Sequence, residues 1–155
     1  MIKIFSLSLI FLFSFVHANE RNIVDSISEN QRLQKLNELV IASELSNNLS
    51  NYEKLTLFAP LDDAFAALSA KTYYGYLKEK NKDQLQNLIN FHLVEGEFTT
   101  ENVVDTISTK SINGLDLEIK KTNGILYVNG AEVVESDIKF SNGIIHLTNR
   151  VLIPK

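Results

Sequence analysis

Four of the six glycines in this chain follow an asparagine directly: Asn113-Gly114, Asn123-Gly124, Asn129-Gly130 and Asn142-Gly143. Asn-Gly supplies the positive φ angles that tight hairpin turns require, so this stretch is constrained to a series of short antiparallel strands. Between the turns the chain runs at period two. Leu115, Leu117 and Ile119 alternate with Asp116, Glu118 and Lys120, which gives one apolar face and one solvated face. The pattern predicts strands over 115–121, 125–128, 131–135 and 143–148.

The preceding half has a different period. Leu33, Leu36, Val40 and Ser43 fall on one helical face with Leu39 beside them, and Leu85, Leu88, Ile89 and His92 repeat the i, i+3, i+4, i+7 spacing. Both segments are read as amphipathic helices laid on a core. Between them Leu55 to Ala59 is a short apolar run stopped by Pro60, which suits a buried strand. Asp62 and Asp63 then stand where carboxylates favour a helix start, ahead of Ala64 to Leu68. Helices followed by a cluster of strands make an α+β domain. With no internal repeat, low-complexity stretch or interior linker, residues 19–155 are expected to form a single domain.

Residues 1–18 are set apart because Lys3 is followed by an uncharged apolar run from Ile4 to Val16 and by small Ala18. That is the pattern of a secretory signal peptide cleaved near Ala18, and the run is short of the roughly 20 apolar residues a spanning helix needs. No second segment of spanning length follows, so no stable membrane insertion is expected after cleavage. An exported chain could form disulfides, yet this one contains no cysteine, which removes disulfides, thiolate metal sites and thiol nucleophiles together. Nineteen carboxylates against fifteen basic side chains argue against a nucleic-acid partner.

Catalytic constellations are thin. Outside the leader the histidines are His92, on the apolar face of a predicted helix, and His146, inside an apolar strand; both are read as hydrogen-bonded core residues rather than as bases. No serine sits in a Gly-x-Ser-x-Gly elbow, and no phosphate loop or dinucleotide fingerprint is present. No catalytic residue, metal ion or cofactor is therefore expected. Asn48-Leu49-Ser50 is a formal glycosylation acceptor of the kind that also arises by chance.

Three segments, in order, resemble the fasciclin domain, a module of secreted and cell-surface adhesion proteins. Leu55-Thr56-Leu57-Phe58-Ala59-Pro60-Leu61-Asp62-Asp63-Ala64-Phe65 is similar to the family's Phe-Ala-Pro-Thr-Asn-Glu-Ala-Phe pattern, with Phe58, Pro60 and Phe65 in register. Phe91-His92-Leu93-Val94-Glu95-Gly96 is similar to its Tyr-His segment, with Phe91 at the tyrosine. The run from Asn142 and Gly143 through His146 to Pro154 is similar to its closing Asn-Gly-Val-Ile-His strand and Leu-Pro end. The resemblance extends from about Ile23 to Pro154 and implies a wedge of β-strands with helices packed around it.

Three departures are visible. Leu61 replaces a threonine that could cap the next helix, leaving Asp62 as the expected cap. Asn149 replaces a common aspartate, and Phe91 lacks a phenolic hydroxyl.

Glu135-Ser136-Asp137-Ile138 resembles the Glu-Pro-Asp-Ile segments of animal fasciclin domains associated with integrin recognition, so Glu135, Asp137 and Ile138 are candidate partner-binding residues. The competing account makes Asp137 a turn residue and Ile138 a core residue. The resemblance implies a secreted or periplasmic module that binds a cell-surface or matrix protein or glycan without catalysis. The alternative is a carrier of a small molecule or cofactor, with a pocket between helices and strands.

Overall fold

A computed structural model describes residues 21–155. The expected signal peptide and its cleavage point lie outside the described residues. Helices α1 (Ile23–Glu29), α2 (Gln34–Ser43) and α3 (Ser46–Ser50) precede strand β1 (Leu55–Pro60). A 3₁₀ turn over Asp62–Ala67, α4 (Ala70–Tyr76) and α5 (Lys82–Phe91) follow, and then β2 (Leu93–Glu95). The remaining strands are β3 (Thr106–Lys110), β4 (Asp116–Thr122), β5 (Ile125–Val128), β6 (Ala131–Phe140) and β7 (Gly143–Thr148).

The strands form one seven-stranded sheet in the order β2-β1-β7-β6-β5-β4-β3. Every pairing is antiparallel except β1 with β7, which run parallel from Leu55↔Gly143 to Pro60↔Thr148. The two ends of the sheet curl toward each other. A bridge between Val94 and Ser111 and a 2.8 Å bond from Ile112 N–H to the Leu93 carbonyl nearly close it into a barrel. The result is the α+β wedge of strands and helices expected from the sequence.

Two apolar clusters follow from this closure. Leu55, Leu57 and Ala59 of β1 with Ile145 and Leu147 of β7 face the helices, meeting Leu36, Leu39 and Val40 of α2 and Leu85, Leu88 and Ile89 of α5. Phe58 points the other way, into a barrel core of Phe91, Val103, Leu117, Ile119, Leu126, Val128, Ala131 and Leu152. Every residue of β1 and β7 is buried, because these two strands have a core on each face. That is why they read as continuous apolar runs while β4 alternates. Each large apolar side chain so enclosed contributes about 1.5–3 kcal/mol relative to exposure.

The four Asn-Gly pairs serve three uses; Asn113-Gly114, in which only Gly114 (φ 84°) has a positive φ, lies in the five-residue connection 111–115 between β3 and β4 rather than in a two-residue turn. Asn123 (φ 51°) with Gly124 (φ 80°) and Asn129 (φ 45°) with Gly130 (φ 77°) make the two-residue turns β4–β5 and β5–β6 that the dipeptide predicts. Asn142-Gly143 does something else. The β6–β7 loop is Ser141-Asn142, and Gly143 is already the first residue of β7, pressed so closely on β1 that a Cβ there would lie 1.8 Å from the Leu55 carbonyl oxygen.

Asn142 is a buried crosslink: its side-chain oxygen accepts from Ile23 N–H at 2.9 Å, and its amide donates to the Leu49 carbonyl at 3.0 Å. The turn residue thus ties α1 and α3 to the sheet.

Several expectations need correction. Asp62 does not cap the turn that follows it; its carboxylate accepts from Lys35 N–H at 2.8 Å and so caps α2, whose own N-cap residue Leu33 makes no side-chain cap. Leu61 packs on the helical cluster instead of capping. The segment after Ala64 is 3₁₀, not α. β6 runs on to Phe140 rather than stopping near 135, because two register shifts let it follow β7 past the segment that breaks its alternation. Helices α1, α3 and α4 and strand β3 carry no apolar period strong enough to be read in advance. α1 does have a local signature in Asn22 and Asp25, which form a reciprocal capping box.

Candidate functional site

The irregular middle of β6 is where unusual backbone, titratable groups and surface meet. Pairing with β7 steps from Val133↔Thr148 to Glu135↔Leu147 and then to Ile138↔Ile145, so β6 carries one extra residue at each shift. Consecutive Val133 and Val134 break the period-two pattern, and that break is the signal from which the first bulge could have been read. Bulges re-aim side chains. Here they leave Val134 47% exposed and turn Glu135 and Ser136 to the surface. The Glu135 carboxylate meets Arg32 at 2.7 Å.

Asp137 sits at φ 60°, a left-handed conformation that Asp tolerates better than most residues. Its carboxylate accepts from Thr100 N–H at 2.9 Å and from the Thr100 hydroxyl. Lys121 Nζ donates to the Thr100 carbonyl at 2.6 Å, which fixes the same loop from β4. Ile138 turns inward onto the helical cluster. The three candidate residues are therefore brought to one stretch but do different jobs in it. Glu135 faces solvent, Asp137 clamps a loop, and Ile138 packs. Thr100, Lys121 and Arg32, which complete this arrangement, come from distant parts of the chain and have no local signature.

His146 lies directly beneath the bulge and has no exposed surface. Its Nδ1 accepts from Asp137 N–H at 3.2 Å, and its Nε2 donates to the Phe98 carbonyl at 2.6 Å. The ring stacks on Phe58, with centroids 5.5 Å apart. His92 repeats the scheme with the ring nitrogens exchanged. As the residue ending α5, it donates from Nδ1 to the Leu88 carbonyl at 2.8 Å and accepts at Nε2 from Leu152 N–H at 2.9 Å. Each ring is held as one neutral tautomer joining backbone groups of separate segments.

Burial pushes the His92 imidazole down to about 4, against the smaller opposing effect of the Leu88 carbonyl. Burial also lowers His146, opposed by the Phe98 carbonyl and then by the Asp137 charge. Being 2% and 0% exposed, neither ring can meet an external substrate. His92 thereby joins α5 to the segment after β7, and His146 joins β6 to the loop at Phe98.

The other motif residues lie in the framework around this stretch. Pro60 ends β1, Phe65 meets Tyr73 edge-on at 5.7 Å, and Pro154 lies in the segment after β7. Tyr73 donates to Glu38 at 2.5 Å; burial and then that bond hold its phenol well above the usual range. Asn149 pairs with Glu132 through its side-chain oxygen and its N–H, both at 3.0 Å.

Among the described residues no group of three or more His, Asp or Glu is placed to hold a metal ion, and no helix is long and apolar enough to cross a membrane. A cavity of about 470 Å³ opens at the mouth of the barrel. Phe91 of α5 lines it, together with the start of β4, the β5–β6 turn and the segment from Arg150 onward. The alternative carrier reading places a pocket between helices and strands; this one has a single helical contributor, Phe91.

Known proteins resemble this chain in both sequence and fold. The Synechocystis protein sll1483 is 36% identical over 132 residues, covering 85% of this chain and 73% of that protein. Human periostin is 29% identical over 137 residues, which is 87% of this chain but 16% of periostin. The fold matches a FAS1 domain pair from the insect cell adhesion molecule Fasciclin I with a TM-score of 0.77 at 15% identity, covering 88% of this chain and 52% of the pair. The family model for the Fasciclin domain matches residues 31–154, and on that match the chain belongs to the fasciclin domain family.

Proposed function

We propose that this chain is an exported, non-catalytic binding module that attaches to a cell-surface or matrix protein or glycan through the bulged surface of β6. The observation that carries the reading is the double register shift, which exposes Val134, Glu135 and Ser136 together on a strand otherwise committed to the sheet. An apolar side chain next to a charged pair gives a partner both a contact to desolvate and a charge to match. Asp137 and Ile138 serve this surface by shaping it, through the Thr100 clamp and the core contact. Membership of a family that includes a cell adhesion molecule supports the reading, and the apolar run after Lys3 supports export.

Exchanging exposed Val134 for Ser together with Glu135 for Gln should reduce attachment to cells or matrix at least severalfold. The melting temperature should stay within a few degrees, since surface changes and exposed ion pairs contribute about 0–1 kcal/mol. Undiminished attachment by a stably folded double variant would move the contact elsewhere. Export is checked separately: mass spectrometry of the protein recovered from its natural host should find an N-terminus at Asn19. A chain starting at Met1 and sedimenting with membranes would refute cleavage.

A further inference from the structure

We propose that the cavity at the barrel mouth is a binding site for a small amphipathic carboxylate, an apolar body of several methylenes carrying one acid group. This goes beyond surface attachment and uses a different face of the molecule. The volume of about 470 Å³ falls within the roughly 300–1,000 Å³ that small-molecule sites occupy. Its floor reaches the barrel core: Phe91 and Leu152 are 4% exposed and Ala131 is 2% exposed, and Leu115 packs on the same cluster. Phenylalanine at position 91, where the family pattern has tyrosine, leaves that floor without a phenolic hydroxyl.

The rim supplies the polar end. Arg150 Nη2 donates to the Gly130 carbonyl at 3.0 Å, which anchors the side chain across the β5–β6 turn. Among the described residues it makes no other side-chain hydrogen bond and no ion pair. A guanidinium has five N–H donors in a planar fork matched to a carboxylate, so most of its donors stay open to a ligand. The acidic side chain lining the cavity is Asp116, and its charge is already met by Lys110 at 2.6 Å. An anion entering the mouth therefore finds the Arg150 guanidinium, with Lys155 on the same lining, above an apolar floor, on a chain whose formal net charge is −4.

Calorimetric titration of the full chain with octanoate tests the assignment, with butyrate and octanol as controls. Octanoate should bind with a stoichiometry of one. Butyrate should bind about a hundredfold more weakly or worse, since each buried methylene is worth about fourfold. Octanol, which cannot engage the fork as an anion, should be about tenfold weaker. Arg150→Gln should lower octanoate affinity about tenfold and leave octanol unchanged. Ile153→Glu, at a lining residue 44% exposed, places a repelling charge on the rim without touching the core and should also weaken octanoate. Amide shifts on octanoate addition should centre on Phe91, Leu115 and Leu152. The proposal is overturned if millimolar octanoate gives no saturable heat, if octanol matches octanoate and neither variant changes the result, or if the shifts centre elsewhere.

Discussion

Replacing His92 by Gln removes a buried titrating group while keeping a side chain that can both donate and accept, so its effect should depend on pH in a defined direction. In the folded chain the ring is neutral, donating to the Leu88 carbonyl and accepting from Leu152 N–H. Burial lowers it to about 4 from the ordinary imidazole value of about 6.5. Between those values the unfolded chain binds a proton that the native chain refuses, so stability rises with pH there. The contribution is fully present above about 6.5, is lost as pH falls toward 4, and then levels off.

One proton of difference gives a slope of about 1.4 kcal/mol per pH unit, or about 3 kcal/mol across the window and about 2 kcal/mol already gone at pH 5. His146 is also lowered by burial and steepens the wild-type slope in the same direction. At neutral pH His92→Gln should cost about 1–3 kcal/mol through poorer hydrogen bonds to groups that stay buried. Because the variant lacks the His92 slope, its stability should converge on that of the wild type, or pass it, between about pH 6 and 4. Urea denaturation at half-unit pH steps measures this directly. A constant gap between the two chains from pH 7 to about 4 would refute the buried neutral assignment, as would an imidazole that titrates near 6.5 by NMR.

Gly143→Ala should destabilise by about 3 kcal/mol or more, since its Cβ would lie 1.8 Å from a backbone oxygen of the adjacent strand that cannot swing aside; thermal melts would show it, and a shift of only a degree or two would contradict the close approach. Asn142→Ala leaves Ile23 N–H and the Leu49 carbonyl without their partner and should cost about 1–3 kcal/mol for each group left buried. Asn123→Ala, at a turn whose Asn side chain makes no hydrogen bond among the described residues, should lose only the left-handed preference, about 1 kcal/mol. Equal losses in parallel denaturation curves would mean that the two Asn-Gly pairs play the same role.

The contrast between those two pairs marks the boundary between local and tertiary information. Asn123-Gly124 and Asn129-Gly130 were readable because a two-residue turn needs positive φ, a demand met within the dipeptide itself. The strands they join were readable because burial on one face imposes period two on neighbouring residues. The faces of α2 and α5 were legible for the same reason at helical period, and the buried character of His92 and His146 followed from their apolar neighbours.

The family motifs identified the fold, but no local signal paired β1 with β7 in parallel, since that contact joins segments far apart in the chain and depends on both having a core on each face. The same distance hid the role of Asp62 as the cap of α2, the crosslink made by Asn142, and the Thr100 clamp on Asp137. In each case the side chain's chemistry was visible in the sequence while its partner was not. Only folding chooses among the many backbone groups that could satisfy a carboxylate, an amide or an imidazole, because only the packed core decides which of those groups are kept from water and must be satisfied from within.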